Sequence, residues 1–163
     1  MTPQVSDQHR LTSQDNYFED FIVGDLFRHA RGKTIGEFDN TILTNLVMNT
    51  ADNHFNDHRM SSEAEGRRIV FGGATIALVL GLAMQDTGEH ALVEVGMNAL
   101  RLSGAVLEGD TLYAFTKVLE KWDDNIESGM VAFRHWGVNQ RSEIVFTGER
   151  KVRLSKRRPR SAP

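Results

Sequence analysis

The sequence predicts an α+β domain in which a curved antiparallel β-sheet wraps one central buried α-helix. Three observations carry this. From Ala74 to Met84 almost every side chain is apolar, with polar residues returning only at Gln85 and Asp86, and a helix that is apolar all round is a buried helix. After Gly88 the hydrophobic pattern changes to a period of two, through four long segments joined by short polar turns. A long apolar helix needs a concave sheet to cover it.

The bulk properties narrow the class. At 163 residues the chain is long enough for one domain with a real core, and 40% hydrophobic with 25% charged residues is ordinary for a globular protein. A net charge of −3 supplies no basic field to draw in nucleic acid. With no cysteine there is no disulfide framework, no thiolate nucleophile and no cysteine metal site. Met1 to Asp20 is polar and lacks the apolar stretch of a signal peptide, so the cytoplasm is the expected compartment. The buried helix rises about 1.5 Å per residue and spans roughly 20 Å, too short to cross a bilayer. Arg67, Arg68 and Asp86 bracket it.

Residues 1–16 carry no periodicity and read as a mobile N-terminal arm. Tyr17 to Asp25 is aromatic and turn-rich and should pack that arm onto the body. Leu26 to Gly36 reads as a first strand with Gly32 at a bulge. Several N-cap candidates follow, and apolar residues at Ile42, Leu43, Leu46 and Val47 give a short helix from Phe38 or Asp39 to Asn49. Asn49 to His58 is polar and should be a loop, continuing irregularly to Arg67; loops of this length are often functional. Gly72-Gly73 open the buried helix and Thr87-Gly88 close it. Strands are expected over Ala91–Ser103, Thr111–Trp122, Met130–Asn139 and Glu143–Leu154, with turns at Val106–Asp110 and Asp123–Gly129. The domain proper is residues 17–155, and 156–163 form a basic, solvated C-terminal tail. This order of elements is the plan of a hot-dog fold.

His54 and His58 are four apart, but their segment lacks a helical apolar stripe and offers no third metal ligand, so no metal site is expected. Phe71-Gly-Gly-Ala matches neither a phosphate-cradling nor a dinucleotide loop, and no serine elbow is present. What remains is polar catalysis centred on His54. Gly72 and Gly73 have two readings: a helix N-terminus whose free N–H groups polarise a carbonyl oxygen, or a tight turn into a core helix.

Four stretches carry a resemblance: Tyr17–Asp25, Arg31–Asn40, Met48–Asn56 and Arg68–Gly73. In order and spacing they resemble the MaoC-like dehydratases, and the resemblance runs from Tyr17 to Arg153. That family includes (R)-specific enoyl-CoA hydratases and the mesaconyl-CoA hydratase (β-methylmalyl-CoA dehydratase) branch. It implies a hot-dog fold, a homodimer or higher homo-oligomer, and reversible hydration of a 2-enoyl-CoA or dehydration of a 3-hydroxyacyl-CoA, with no cofactor.

The family's Asp-x-Asn-x-x-His signature falls on Asn49, Ala51 and His54. Asn in place of the Asp is a pattern of the mesaconyl-like branch. A serine that often supports the Asp falls on Leu80, and Phe71 stands where many members have His. The resemblance implies that His54 is the general base or acid, that Asn49 holds the water or hydroxyl, and that backbone N–H groups at Gly72-Gly73 receive the thioester oxygen. Asn orients a water but cannot take its proton, so Asp52 and Asp57 are candidates for the missing acid. Asn49 also suits a helix C-cap. Arg59, Arg67, Arg68, Lys151 and the tail are candidates for the CoA phosphates. Two other readings share the fold: an acyl-CoA thioesterase, and a non-catalytic acyl-CoA-binding partner, which the missing Asp would favour.

Overall fold

In a computed structural model, residues 9–11 and 16–157 are described. The strands are β1 (His9–Leu11), β2 (Leu26–Thr34), β3 (Ala91–Leu102), β4 (Thr111–Asp123), β5 (Ser128–Val138) and β6 (Ile144–Ser155). The helices are α1 (Glu37–Leu46), α2 (Asp52–Phe55), α3 (Asp57–Met60) and α4 (Gly72–Thr87). The strands form one sheet in the order β1-β2-β4-β5-β6-β3, antiparallel throughout except for β1 beside β2. β1 lies inside the segment expected to be a mobile arm; the rest of that segment, apart from Asn16, and residues 158–163 of the expected tail lie outside the described residues.

The expected strands and the long helix are present within a residue or two of their expected bounds. The bulge in β2 falls between Arg28 and Gly32. A Cβ at Gly32 would sit 2.5 Å from the Tyr113 ring, so the bare backbone lets β2 lie close on β4. α4 lays Ala74, Val79, Leu80 and Ala83 against Ile35, Leu112 and Phe146 in the sheet's concave face. A second cluster, Phe18, Phe21, Phe27 and Phe133, seats the Tyr17–Asp25 segment, with the Phe21 and Phe133 rings 5.0 Å apart edge to face. Each such buried side chain contributes about 1.5–3 kcal/mol. Among the described residues no helix is long and apolar enough to cross a membrane.

Two expectations change. The segment after α1 is not simply loop: it contains the single turns α2 and α3, with Asn56 capping α3 by accepting the Arg59 N–H at 3.1 Å. α1 also ends earlier, at Leu46, because Met48 takes φ +56° and the Asn49 N–H returns to the Thr44 carbonyl at 2.9 Å. Moreover, the inner face of α1 is largely polar: Asn40 and Thr44 are fully buried beside partly buried Leu43, while Phe38, Ile42 and Leu46 are exposed. α4 likewise keeps one face open, at Ala77, Gly81 and Gln85.

A polar chain crosses the core beneath α4. The His29 Nδ1–H donates to Asp86 Oδ2 at 2.6 Å, and Thr116 Oγ1 lies between His29 Nε2 (2.7 Å) and His135 Nδ1 (2.8 Å). Burial above all, then the neighbouring Arg150 charge and His29, holds the His135 imidazole well below its usual pKa. Arg150, 1% exposed, donates to Glu94 at 2.6 Å and to Thr87 Oγ1 at 2.9 Å.

Candidate active site

His54 sits on α2, half-buried. Its Nδ1 is 2.8 Å from the Ile69 carbonyl oxygen. A carbonyl only accepts, so Nδ1 carries the hydrogen and Nε2 keeps its lone pair. The ring packs edge to face on Phe71, centroids 5.7 Å apart. Phe71 is the N-cap of α4, so the imidazole lies beside the mouth of the long helix.

One backbone hydrogen bond joins the two segments, and another anchors the strap before α4 to the β3–β4 connection. The Ile69 N–H donates to the Asn53 carbonyl at 2.8 Å, and the Val70 N–H to the Val106 carbonyl at 2.7 Å. Asn40 of α1 completes the join: its Nδ2 donates to the His54 carbonyl at 3.3 Å and its Oδ1 accepts the Phe71 N–H at 3.0 Å. Nothing in the sequence pattern marks Asn40 as part of a site, because Asp39-Asn40 reads as a helix start. Asp39 does serve that end: its carboxylate accepts from Lys33 at 2.8 Å and from the Gly36 N–H at 2.7 Å, and these two bonds hold it below the usual carboxylate range.

Gly72 and Gly73 are the first residues of α4. The opening N–H groups of an α-helix have no partner within it, and a sixteen-residue helix adds its dipole. Both glycines are also closely packed by side chains. A Cβ on Gly73 would lie 2.4 Å from the Phe71 ring, and one on Gly72 would lie 2.4 Å from a Leu102 methyl. The two readings of these glycines are therefore compatible: a packed turn and a helix N-terminus coincide here.

The other expected residues divide. Asn49 is half-buried, and its Oδ1 accepts the Ala51 N–H at 3.3 Å, which steers the chain into α2. Asp52 faces Arg59 at 2.8 Å, and Asp57 accepts from Arg68 Nε at 2.8 Å, so both candidate acids are ion-paired with arginines. Arg68 is 8% exposed and is spread over Asp57, Glu108 (3.2 Å) and Glu37 (3.7 Å). Arg68, one of the residues expected near the CoA phosphates, thus faces three carboxylates of its own chain and fastens α3 and the β3–β4 connection to the strap before α4. Arg59 and Arg67 remain exposed. A cleft of about 470 Å³ opens beside the site, lined by Asp52, Asn53, Arg59, Met60 and Ile69 among others. Leu80 packs the core and brings no polar group to the site.

Comparisons with known proteins identify the family and the fold. A family model described as mesaconyl-CoA hydratase matches residues 8–156. The chain is 37% identical over 107 residues to a β-methylmalyl-CoA dehydratase of Chloroflexus aurantiacus, covering 65% of this chain and 30% of that one. A MaoC-domain dehydratase structure from the same organism superposes with a TM-score of 0.81 at 28% identity, over 87% of this chain and 45% of that one. A Mycobacterium tuberculosis protein with a double hot-dog fold gives a TM-score of 0.80 at 20% identity, over 90% and 46%. The chain spans 30–44% of the length of the curated relatives it matches. A single hot-dog unit, matched almost end to end by the family model, belongs to the mesaconyl-CoA hydratase family of MaoC-like dehydratases.

Proposed function

We propose that this chain is a hydro-lyase acting on a CoA thioester, interconverting a 2-enoyl-CoA and its 3-hydroxyacyl-CoA, with mesaconyl-CoA and β-methylmalyl-CoA as the favoured pair. The observation that carries the reading is the bond from His54 Nδ1–H to Ile69, which leaves Nε2 basic beside the mouth of α4. The names of the relatives supply the substrate class.

In hydration, the thioester oxygen receives hydrogen bonds from the N–H groups at Gly72-Gly73. Negative charge builds there as the enolate forms, and one such donor is worth about 3–4 kcal/mol. His54 Nε2 takes a proton from water as the oxygen bonds to the β-carbon, and Asn49 orients that water. The imidazolium then returns a proton to the α-carbon, so one group serves both transfers. Asp52 and Asp57 are engaged by arginines, and this cycle uses neither of them. Arg67 and Lys151 are exposed cations for the phosphates of CoA, with Arg59 available at the cost of its pairing to Asp52.

The site is completed by a second hot-dog unit, in a homodimer of this chain. β3 lies at the edge of the sheet, and Leu92, Val95, Met97, Leu100 and Leu102 along it are 45–55% exposed. Such an edge invites strand pairing. Leu102 reaches Gly72, so a unit paired there stands next to the helix mouth. The test is absorbance of the enoyl thioester during incubation of the purified chain with mesaconyl-CoA, with crotonyl-CoA as the unbranched comparison. Consumption with formation of the hydroxyacyl product supports the reading; release of free thiol would move it to thioester hydrolysis.

A further inference from the structure

We infer that Asn40 is the positioning residue of this site, the group that holds the His54 base and the thioester-binding mouth of α4 in one register. The inference rests on the hydratase reading for its kinetic consequence, but its structural basis is separate. Asn40 is 0% exposed, on a helix that leaves Phe38, Ile42 and Leu46 exposed. It is 3.3 Å from the His54 carbonyl oxygen and 3.0 Å from the Phe71 nitrogen. The first contact needs a donor and the second an acceptor, which a primary amide of this length supplies at any pH. Burying such an amide is costly unless both ends are bonded. The two groups it joins belong to segments that meet otherwise through the His54–Ile69 and Asn53–Ile69 bonds and the His54–Phe71 ring contact. With the amide gone, α2 slides relative to α4, the Nδ1–H bond to Ile69 weakens, and the imidazole loses its preference for a single tautomer.

Two substitutions separate this role from simple stability. Asn40→Leu keeps the bulk and removes both bonds. Asn40→Asp keeps the shape and the acceptor, but an ionised carboxylate turns an oxygen on the His54 carbonyl. When that introduced carboxyl is protonated, its O–H donates to the carbonyl again. The expected result is a kcat about thirtyfold lower for Asn40→Asp near pH 8, with KM changed less than about threefold. The ratio of variant to wild-type kcat should rise as the pH falls, because only the variant regains a donor. A purely structural role predicts a ratio that does not respond to pH.

The experiment combines this profile with nitrogen-15 imidazole spectra of the full chain, His54→Ala serving to assign the signal. Wild type should show His54 as the Nδ1–H tautomer, and Asn40→Leu should show a mixture. A single tautomer and wild-type kcat in Asn40→Leu, or a pH-independent ratio in Asn40→Asp, would overturn the inference. Should Asn40→Leu fail to fold, the Asn40→Asp ratio decides. Should wild type turn over no enoyl-CoA, the hydratase reading fails, and the tautomer comparison between wild type and the folded Asn40 variants still decides the role of Asn40.

Discussion

His54 donates its Nδ1 hydrogen to the Ile69 carbonyl at 2.8 Å, and that one bond determines which ring nitrogen is basic. It also ties the base to the strap that runs directly into Phe71-Gly72-Gly73. The two halves of the candidate site are thus positioned by neighbouring backbone, not by separate loops.

The two glycines at the helix mouth should respond differently to alanine. At Gly73 the new Cβ lies 2.4 Å from the Phe71 ring, whose displacement disturbs the His54 contact. Gly73→Ala should lower kcat by roughly ten- to a hundredfold and cost about 1–3 kcal/mol. At Gly72 the clash is with a terminal methyl of half-exposed Leu102, which can swing away. Gly72→Ala should therefore keep most of its activity. Steady-state kinetics and thermal melts of both variants check the contrast.

Arg68 separates a structural from a substrate-binding cation. Its guanidinium is buried while Asp57 and Glu37 are mostly exposed, so solvent screening tempers each pair. Arg68→Met should lower stability by about 1–2 kcal/mol and shift the urea midpoint. Any KM effect should persist at high salt, whereas an Arg67→Ala effect on KM for a CoA thioester should fade with salt.

His135 makes stability depend on pH. Its folded pKa is depressed, so the unfolded chain binds the extra proton as the pH falls below about 6.5 while the folded chain does not. Stability contributed by the neutral, buried ring is present above that pH and is lost below it, with a limiting slope of about 1.4 kcal/mol per pH unit. Urea unfolding between pH 7.5 and about 5 should show this loss, and His135→Gln should flatten it.

The β3 edge should govern assembly. Val95→Lys introduces a charge on a half-exposed edge position without touching the core of the protomer. Sedimentation velocity should show a homodimer for wild type and a shift to monomer for the variant. An unchanged dimer would place the interface elsewhere.

Much of this architecture is legible in the residues because it is periodic. The run from Ala74 to Met84 and the alternation after Gly88 are long enough for one pattern to dominate, and the register of the family motif then places His54. The rest is set by tertiary contacts. α2 and α3 are single turns, shorter than any helical repeat. The apolar spacing of α1 suggests that Ile42 and Leu46 face the core, whereas the buried side carries Asn40, which bonds backbone of the neighbouring segments, and Thr44, whose hydroxyl bonds back to the Asn40 and Thr41 carbonyls. The role of Arg68 depends on Glu37, Asp57 and Glu108, which are far apart in sequence.

The central claim is that His54 and the mouth of α4 form one hydratase centre. The most direct test follows the enoyl absorbance of mesaconyl-CoA with wild-type chain and with His54→Ala, both shown to be folded by circular dichroism. Turnover by wild type, and a loss of at least about a hundredfold in the variant, is the predicted result. A folded His54→Ala protein that hydrates mesaconyl-CoA at the wild-type rate would contradict the account.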